Sequence, residues 1–154
     1  MILLKLTILN SIPTDKDKMR ILMFNAPSFW FKTYKKTLEN VPEIDENKSV
    51  ENALVVFYHA EEKDTKSRSG VLTKLIKNIK WHSGKCGTKN LVLHSFNHLS
   101  TSKADPEFTR ELINDANERL SRSGFTITET PFGYLNEWKI HVAGESLAKV
   151  FKEF

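Results

Sequence analysis

The sequence holds a single cysteine, Cys86, among 154 residues. That excludes an internal disulfide framework and a zinc cluster built on thiolates, and it fits a reducing compartment, the cytoplasm. Long apolar runs are missing as well. The longest, Met1 to Leu9, is interrupted by Lys5 and falls far short of the roughly 18 residues of a spanning helix, so no membrane partner is expected. It carries no basic leader and no small-residue cleavage pattern before Asn10-Ser11-Ile12-Pro13, which argues against a signal peptide. Glycine and proline number only 6 and 5, and no glycine-rich phosphate loop is present, which disfavours nucleotide-triphosphate chemistry. The most local absence is of acid, for no aspartate or glutamate lies between Asp64 and Asp105.

What is present describes one folded domain, with 40% hydrophobic, 27% charged and 10% aromatic residues. The acid-free window carries Lys66, Arg68, Lys74, Lys77, Lys80, Lys85, Lys89 and Lys103, whereas the chain as a whole is only +4. Cations so concentrated repel one another unless something neutralises them, and nucleic-acid phosphate is the usual neutraliser. Lys74, Lys77 and Lys80 are therefore candidate phosphate contacts, the plainer alternative being the solvated face of a helix.

Residues 1–18 read as an N-terminal extension, because a better strand signal starts at Met19 after the polar Thr14 to Lys18. Arg20 to Asn25 predicts a strand, followed by the aromatic Phe29, Trp30, Phe31 and Tyr34. Ala53 to His59 is a continuous apolar run suited to a central strand buried on both faces. Glu61 to Gly70 reads as a polar loop. Val71, Leu72, Leu75, Ile76 and Ile79 recur at helical spacing, with Gly84 as the stop. Leu91 to Leu93 predicts another strand, and Asn97 to Ala104 a polar connection. Asp105-Pro106-Glu107 supplies an N-cap, a first-position proline and a first-turn acid before Phe108, Leu112, Ile113, Ala116 and Leu120. Alternation at Phe125 and Ile127, and at Trp138, Ile140 and Val142, predicts two strands paired through Pro131 to Tyr134, and Leu147, Val150, Phe151 and Phe154 read as a final short helix. The order β, β, α, β, α, β, β, α predicts an α/β fold, a mixed β-sheet with helices packed on it.

Chemistry is sparse. His94 and His98 stand four apart, but on a strand end and a loop rather than a helix face, which does not make a metal pair. His98, Ser100 and Asp105 contain the residue types of a hydrolase triad without the flanking glycines of a nucleophile turn. Cys86 reads as an ordinary loop cysteine. Position is more telling: His98 after one strand and Phe132-Gly133-Tyr134 between two others fall at strand ends, where open α/β sheets place their clefts.

Four segments together resemble the N-terminal editing domain of archaeal threonyl-tRNA synthetases: Met19 to Leu22, Glu51 to Glu61 (ENALVVFYHAE), Leu91 to Ser100 (LVLHSFNHLS) and Pro131 to Gly144 (PFGYLNEWKIHVAG). The similarity runs through nearly the whole chain after Met19 and makes residues 19–154 the editing domain. It implies a D-aminoacyl-tRNA deacylase-like fold and hydrolysis of the ester joining wrongly attached serine to threonine tRNA, with no cofactor. The implied partners are the acceptor end of threonine tRNA, the rest of a threonyl-tRNA synthetase and, optionally, a second copy of the chain. His98 matches the family histidine. Phe132, Gly133 and Tyr134 match the loop lining the aminoacyl pocket, with Ser95, Phe96 and Asn97 facing it, and Ala60 falls where the family has a small apolar wall. Asn136 takes the place of a lysine beside the scissile ester, Leu135 that of an aromatic residue, Lys149 that of a glutamate and Asn25 that of a histidine. Asn136 loses a cation but keeps a hydrogen-bond donor, and Lys149 cannot serve as a carboxylate base. The resemblance thus assigns catalysis to Asn136 and His98, substrate binding to Ala60, Ser95, Phe96, Asn97, Phe132, Gly133, Tyr134, Leu135 and Lys149, and tRNA binding to Lys74, Lys77 and Lys80. Two alternatives stay open, a catalytically degenerate tRNA-binding or assembly module and a D-aminoacyl-tRNA deacylase. The reading requires that the His98 loop and the Phe132 loop converge into one cleft.

Overall fold

Two long strands rich in aromatic and β-branched residues carry the architecture. A computed structural model describes residues 18–154; the expectations for the apolar run and the extension before them lie outside the described residues. Strand β1 (Arg20–Lys36) pairs antiparallel with β2 (Asn47–His59), from Arg20 opposite His59 to Lys32 opposite Asn47. Helix α1 (Arg68–Cys86) leads to β3 (Asn90–Ser95), which lies parallel beside β2, and α2 (Pro106–Arg122) leads to β4 (Thr126–Glu129), parallel beside β3. The sheet order is β4-β3-β2-β1-β5, where β5 is Tyr134–His141, and β6 (Lys149–Glu153) shares with β5 the outer edge of β1.

Both helices contribute to one buried cluster on a single face of the sheet, where Ile21, Met23, Leu54, Val56, Leu91 and Leu93 meet Leu72, Leu75, Ile79, Leu112, Ile113, Ala116 and Leu120. The other face builds its own cluster from Ala26, Phe29, Phe31, Val55, Phe57 and Val92, with Phe96 and Ile140 packed against it. On β1 this second face takes even-numbered residues up to Ala26 and odd-numbered ones from Phe29. The change of phase falls at Pro27, between the β6 pairing that ends at Phe24 and the β5 pairing that starts at Ser28. Proline brings no N–H to a ladder, so a break between partners is the place that tolerates it. Asn52, at the same level of β2, has φ of 49°, a left-handed value that asparagine tolerates better than most residues.

Several expectations are corrected. The segment after Leu147 is a strand: following a short 3-10 turn at Ser146–Ala148, β6 pairs Arg20–Phe24, and Phe154 N–H donates to Met19 O at 3.0 Å. The spacing of Leu147, Val150, Phe151 and Phe154 imitates a helix, but the open edge of β1 offers backbone partners that a short helix cannot. Strands β4 and β5 do not pair with each other and stand on opposite edges of the sheet. Strand β1 does not stop at Asn25 but runs through the aromatic segment to Lys36. Helix α1 passes through Gly84 and ends at Gly87, whose φ of 68° supplies the left-handed cap. The segment after Ala60 is a 3-10 helix at Glu62–Ser67 rather than a loop, and it buries Glu61 and Asp64.

That turn belongs to a buried polar network at the N-terminal end of β1. Arg20 Nη1 donates to Glu61 Oε1 at 2.7 Å, Arg20 Nε to Glu153 Oε2 at 3.3 Å, and the Ser102 hydroxyl to Glu61 Oε2. Asp64 Oδ2 accepts from Glu61 N–H at 2.7 Å. His59 Nδ1 accepts from Leu99 N–H at 3.2 Å, which leaves Nε2 to donate to Ser102 O at 2.6 Å. A fully buried carboxylate is tolerable only with such partners, and removing one side of a buried pair leaves the other charge uncompensated. Glu61→Ala is therefore expected to destabilise the chain by about 3 to 5 kcal/mol, read as a lowered urea midpoint.

Candidate functional site

The C-terminal end of β3 and the N-terminal end of β5 frame a cleft of about 410 Å³. Ser95, Phe96, Asn97 and His98 form one wall, Phe132, Gly133, Tyr134, Leu135 and Asn136 the other, with Thr37, Leu38, Lys103, Pro106, Thr109 and Trp138 completing the lining. The loops bearing His98 and Phe132 do converge. Each is held from behind. Phe96 N–H donates to Tyr58 O at 3.0 Å and Ala104 N–H to Ala60 O at 2.9 Å, while His59 spans the turn between Leu99 and Ser102. On the opposite wall Gly133 O accepts from the N–H groups of Thr37 and Leu38 at 2.7 and 3.2 Å. The Tyr134 hydroxyl accepts from Ile44 N–H at 2.9 Å and donates to Pro42 O at 2.8 Å.

Gly133 is required by geometry. Its φ is 81°, and a Cβ there would lie 2.8 Å from Val41 Cγ1 and 3.2 Å from Leu38 Cβ. His94 lies at the cleft floor, its Nδ1 2.8 Å from the Thr130 hydroxyl rather than on a backbone group, with the Phe57 ring centre 4.7 Å away and tilted by 50°. Burial pushes its imidazole down to about 4, so it is neutral near pH 7. His98 is exposed and meets the Phe96 ring edge-on at 5.0 Å.

The polar groups left over are informative. Asn136 Nδ2 points at the carbonyls of Tyr134 and Pro131, at 3.3 and 3.5 Å, which fixes the amide so that Oδ1 is its free end. That Oδ1 is buried, with no donor to it among the described residues. Across the cleft, no acceptor among the described residues takes the N–H groups of Asn97 and His98. A buried, unpartnered acceptor in the wall of a lined cavity matches a polar ligand better than a sealed turn.

Other predicted residues fall elsewhere. Ala60 is buried behind the Ser102 to Ala104 turn and lines no part of the cleft. Lys149 sits on β6 opposite Phe24, away from the cleft, and its Nζ donates to Ala143 O at 3.3 Å. Asn25 donates to Glu145 Oε1 at 2.8 Å. Lys74, Lys77 and Lys80 are exposed on α1, and Lys80 borders a groove with Lys89 and Phe125 at the far end of β3 from Ser95. The acid-free window is not uniformly unpaired, since Arg68 bonds Asp115 of α2. Sequence reasoning missed His59, Glu61 and Thr130, the supports behind the walls. Polar residues closing an otherwise apolar buried strand, as His59 and Glu61 do, were the available signal. Nothing local marks Thr37 or Leu38. Asp105, a member of the triad considered above, caps α2 by accepting from Glu107 N–H at 2.8 Å. Among the described residues no three histidine, cysteine, aspartate or glutamate side chains group to hold a metal, and no helix is long and apolar enough to cross a membrane.

A family model described as the archaea-specific editing domain of threonyl-tRNA synthetase matches residues 19–154. The chain belongs to this family. As an editing domain it is similar to threonine-tRNA ligases of Hyperthermus butylicus (28% identity, 88% of this chain and 23% of that protein) and Thermococcus onnurineus (28%, 86% and 22%). A third, from Thermofilum pendens, shares 29% over 86% of this chain and 22% of its own length. The chain thus spans under a quarter of the curated relatives it matches. Among solved structures, one titled c-Myc DNA Unwinding Element Binding Protein shares the fold, with a TM-score of 0.58 and 11% identity over 88% of this chain and 98% of that one. The fold is α/β, a mixed sheet with helices packed on it, as expected.

Two outcomes follow for the editing domain's walls. Gly133→Ala is expected to cost about 1 to 3 kcal/mol, from the left-handed backbone and the approach to Val41, visible as a lowered Tm. The pH dependence has two opposed parts. His94, depressed from 6.5 to about 4, removes stability as pH falls through that interval, by at most about 3 kcal/mol, because the unfolded chain takes up a proton the folded one refuses. Asp64, raised by burial to about 6, acts the other way, its folded form holding a proton that the unfolded chain releases. Asp64→Asn keeps an acceptor for Glu61 N–H and removes the opposing part, so its urea midpoint should fall more steeply between pH 6.5 and 4 than that of the wild type.

Proposed function

We propose that the cleft hydrolyses seryl-tRNA(Thr), returning serine and tRNA with its terminal hydroxyls free. The observation that supports this reading is the buried, unpartnered Asn136 Oδ1 in a cleft that Asn97 and His98, whose N–H groups take no backbone acceptor among the described residues, also line. The chemistry then needs no ionised side chain. The two N–H groups cradle the ester carbonyl as negative charge grows on its oxygen. Asn136 Oδ1 accepts a hydrogen bond from a water and orients it toward the carbonyl carbon. As the new C–O bond forms, the water's proton passes to the neighbouring ribose hydroxyl and on to the departing ribose oxygen. An amide cannot itself take the proton, so the substrate's own hydroxyl carries it. His98, exposed at the rim, positions the terminal nucleotide.

The need for such a site is arithmetic. Serine lacks one methyl of threonine, and a synthetic pocket gains only about 1 to 3 kcal/mol from that difference, so a second sieve must remove the error. The setting for this work is the cytoplasm, with the rest of a threonyl-tRNA synthetase as the source of the mischarged tRNA.

The test is deacylation by the purified chain. Seryl-tRNA(Thr) should lose its ester well above the spontaneous rate while threonyl-tRNA(Thr) keeps it, and Asn136→Ala should lower kcat about 10- to 100-fold with little change in KM. Background loss of both esters with tRNA still bound would make the chain a binding module. Loss confined to D-aminoacyl-tRNA would make it a D-aminoacyl-tRNA deacylase. Either outcome overturns the proposal.

A further inference from the structure

The rim where β1 meets β5 carries large side chains that bury nothing in this fold. The pairing shifts register between Thr33 and Lys35, so that Tyr34 is an extra residue and both Tyr34 and Lys35 stand beside Leu135. Tyr34 is 77% exposed and Leu135 52%, the two most exposed large apolar groups among the described residues. Leu135 also lines the cleft, so this platform begins at the cleft mouth. From there the outer face of the ribbon continues along Lys35, Lys32 and Trp30 on β1 and Lys139 on β5, Lys139 lying directly opposite Trp30 with its Nζ 5.3 Å from the ring centre. Glu137 stands among them opposite Lys32, Asp45 lies at the Thr33 hydroxyl and Glu43 is paired with Lys36. The five residue steps from Lys35 to Trp30 cover about 17 Å.

The other approach to the cleft has the opposite sign. Beyond Phe132 a neighbouring groove is lined by Glu39, Asp105, Glu107 and Glu111, and its arginine, Arg110, is engaged by Glu129 at 3.2 Å. A polyanion is repelled there and attracted along the lysine ribbon. An exposed tyrosine set among lysines, with the half-buried Trp30 further along, is the chemistry of a single-stranded nucleic-acid platform, since any base can stack and the cations follow the backbone.

Resting on the hydrolytic reading above, we infer that Tyr34 and Leu135, with Lys32, Lys35 and Lys139, form the track for the single-stranded nucleotides that precede the esterified adenosine. The track replaces the α1 lysines Lys74, Lys77 and Lys80 in that role. Its ligand is single-stranded RNA leading into the cleft, held by stacking on Tyr34 and by phosphate contact with the ribbon.

The test separates this inference from the hydrolysis itself. An unacylated RNA oligonucleotide carrying the acceptor 3′ end is titrated against the full chain, and seryl-tRNA and seryl-adenosine are compared as esters. Tyr34→Ala should weaken the oligonucleotide about tenfold, Tyr34→Phe should restore it, and the pair Lys32→Glu with Lys139→Glu should flatten the salt dependence. KM for seryl-tRNA should rise in step, whereas seryl-adenosine, which has no nucleotides to reach the rim, should be hydrolysed within twofold of wild type. Wild-type affinity in the rim variants, or loss of RNA in a Lys74→Glu, Lys77→Glu, Lys80→Glu variant instead, overturns the track. Failure of the wild type on both esters sinks the hydrolytic reading alone, because the oligonucleotide affinities still decide the track.

Discussion

The cleft depends on one buried carboxylate. Glu61 has no exposed surface, and its two oxygens tie the start of β1 through Arg20 to the loop that carries His98 through Ser102. That loop has no regular structure between Ser95 and Pro106. Backbone groups in such a stretch must find partners one at a time. They find them in Tyr58 O, His59 and Ala60 O, while the Ser102 side chain bonds Glu61, so four consecutive residues at and just after the end of β2 hold the loop. A long apolar strand that ends in a short polar tail is thus both the middle of the core and the bracket for one wall of the site.

The opposite wall is held by different means. Gly133 lets its own carbonyl reach two N–H groups at the end of β1, and Tyr134 spends its hydroxyl on the segment between Pro42 and Ile44. The rings of this wall are therefore partly structural, and the tyrosine that resemblance assigns to substrate binding has its polar end already committed. What remains for a ligand is main-chain N–H on one side and a side-chain amide on the other. The lining holds no carboxylate and one lysine, Lys103, so in the proposed reaction preorganised dipoles would carry the electrostatics, at no cost in reorganisation when charge develops.

Much of this was legible in the sequence, and the failures have physical causes. The central strand, both helices and the N-cap at Asp105 follow from apolar spacing and capping chemistry, which act locally. Convergence of the His98 and Phe132 loops followed from their placement at strand ends. The final strand was misread because an i, i+3, i+4, i+7 apolar pattern fits one helix face, whereas in the turn and strand that form, Leu147 and Phe151 stay exposed. Only the vacant edge of β1, a tertiary fact, decides between them. The pairing of β4 with β5 was misread for a similar reason. The turn between them crosses from one edge of the sheet to the other, and proline and glycine signal a turn without saying how far it travels. Ala60 and Lys149 were misplaced because resemblance carries over positions in a chain, whereas the cleft is defined by which strand ends share a neighbourhood.

The lysine-to-asparagine exchange that the resemblance implies at position 136 becomes intelligible in this setting. With Lys149 on a distant edge strand, the cleft holds no carboxylate to balance a lysine, and an ammonium at position 136 would face only carbonyls and N–H groups. An amide satisfies the Tyr134 and Pro131 carbonyls with its Nδ2 and presents an acceptor instead of a second donor. The polarity at that point of the wall is thereby reversed, from a group that draws electrons toward itself to one that receives a proton donor. A hydroxyl or a water is the donor an acylated ribose brings with it. In the proposed hydrolysis such an exchange would shift the burden of proton transfer from protein to substrate without opening the wall, and it would leave main-chain N–H groups, rather than a cation, to meet the carbonyl oxygen.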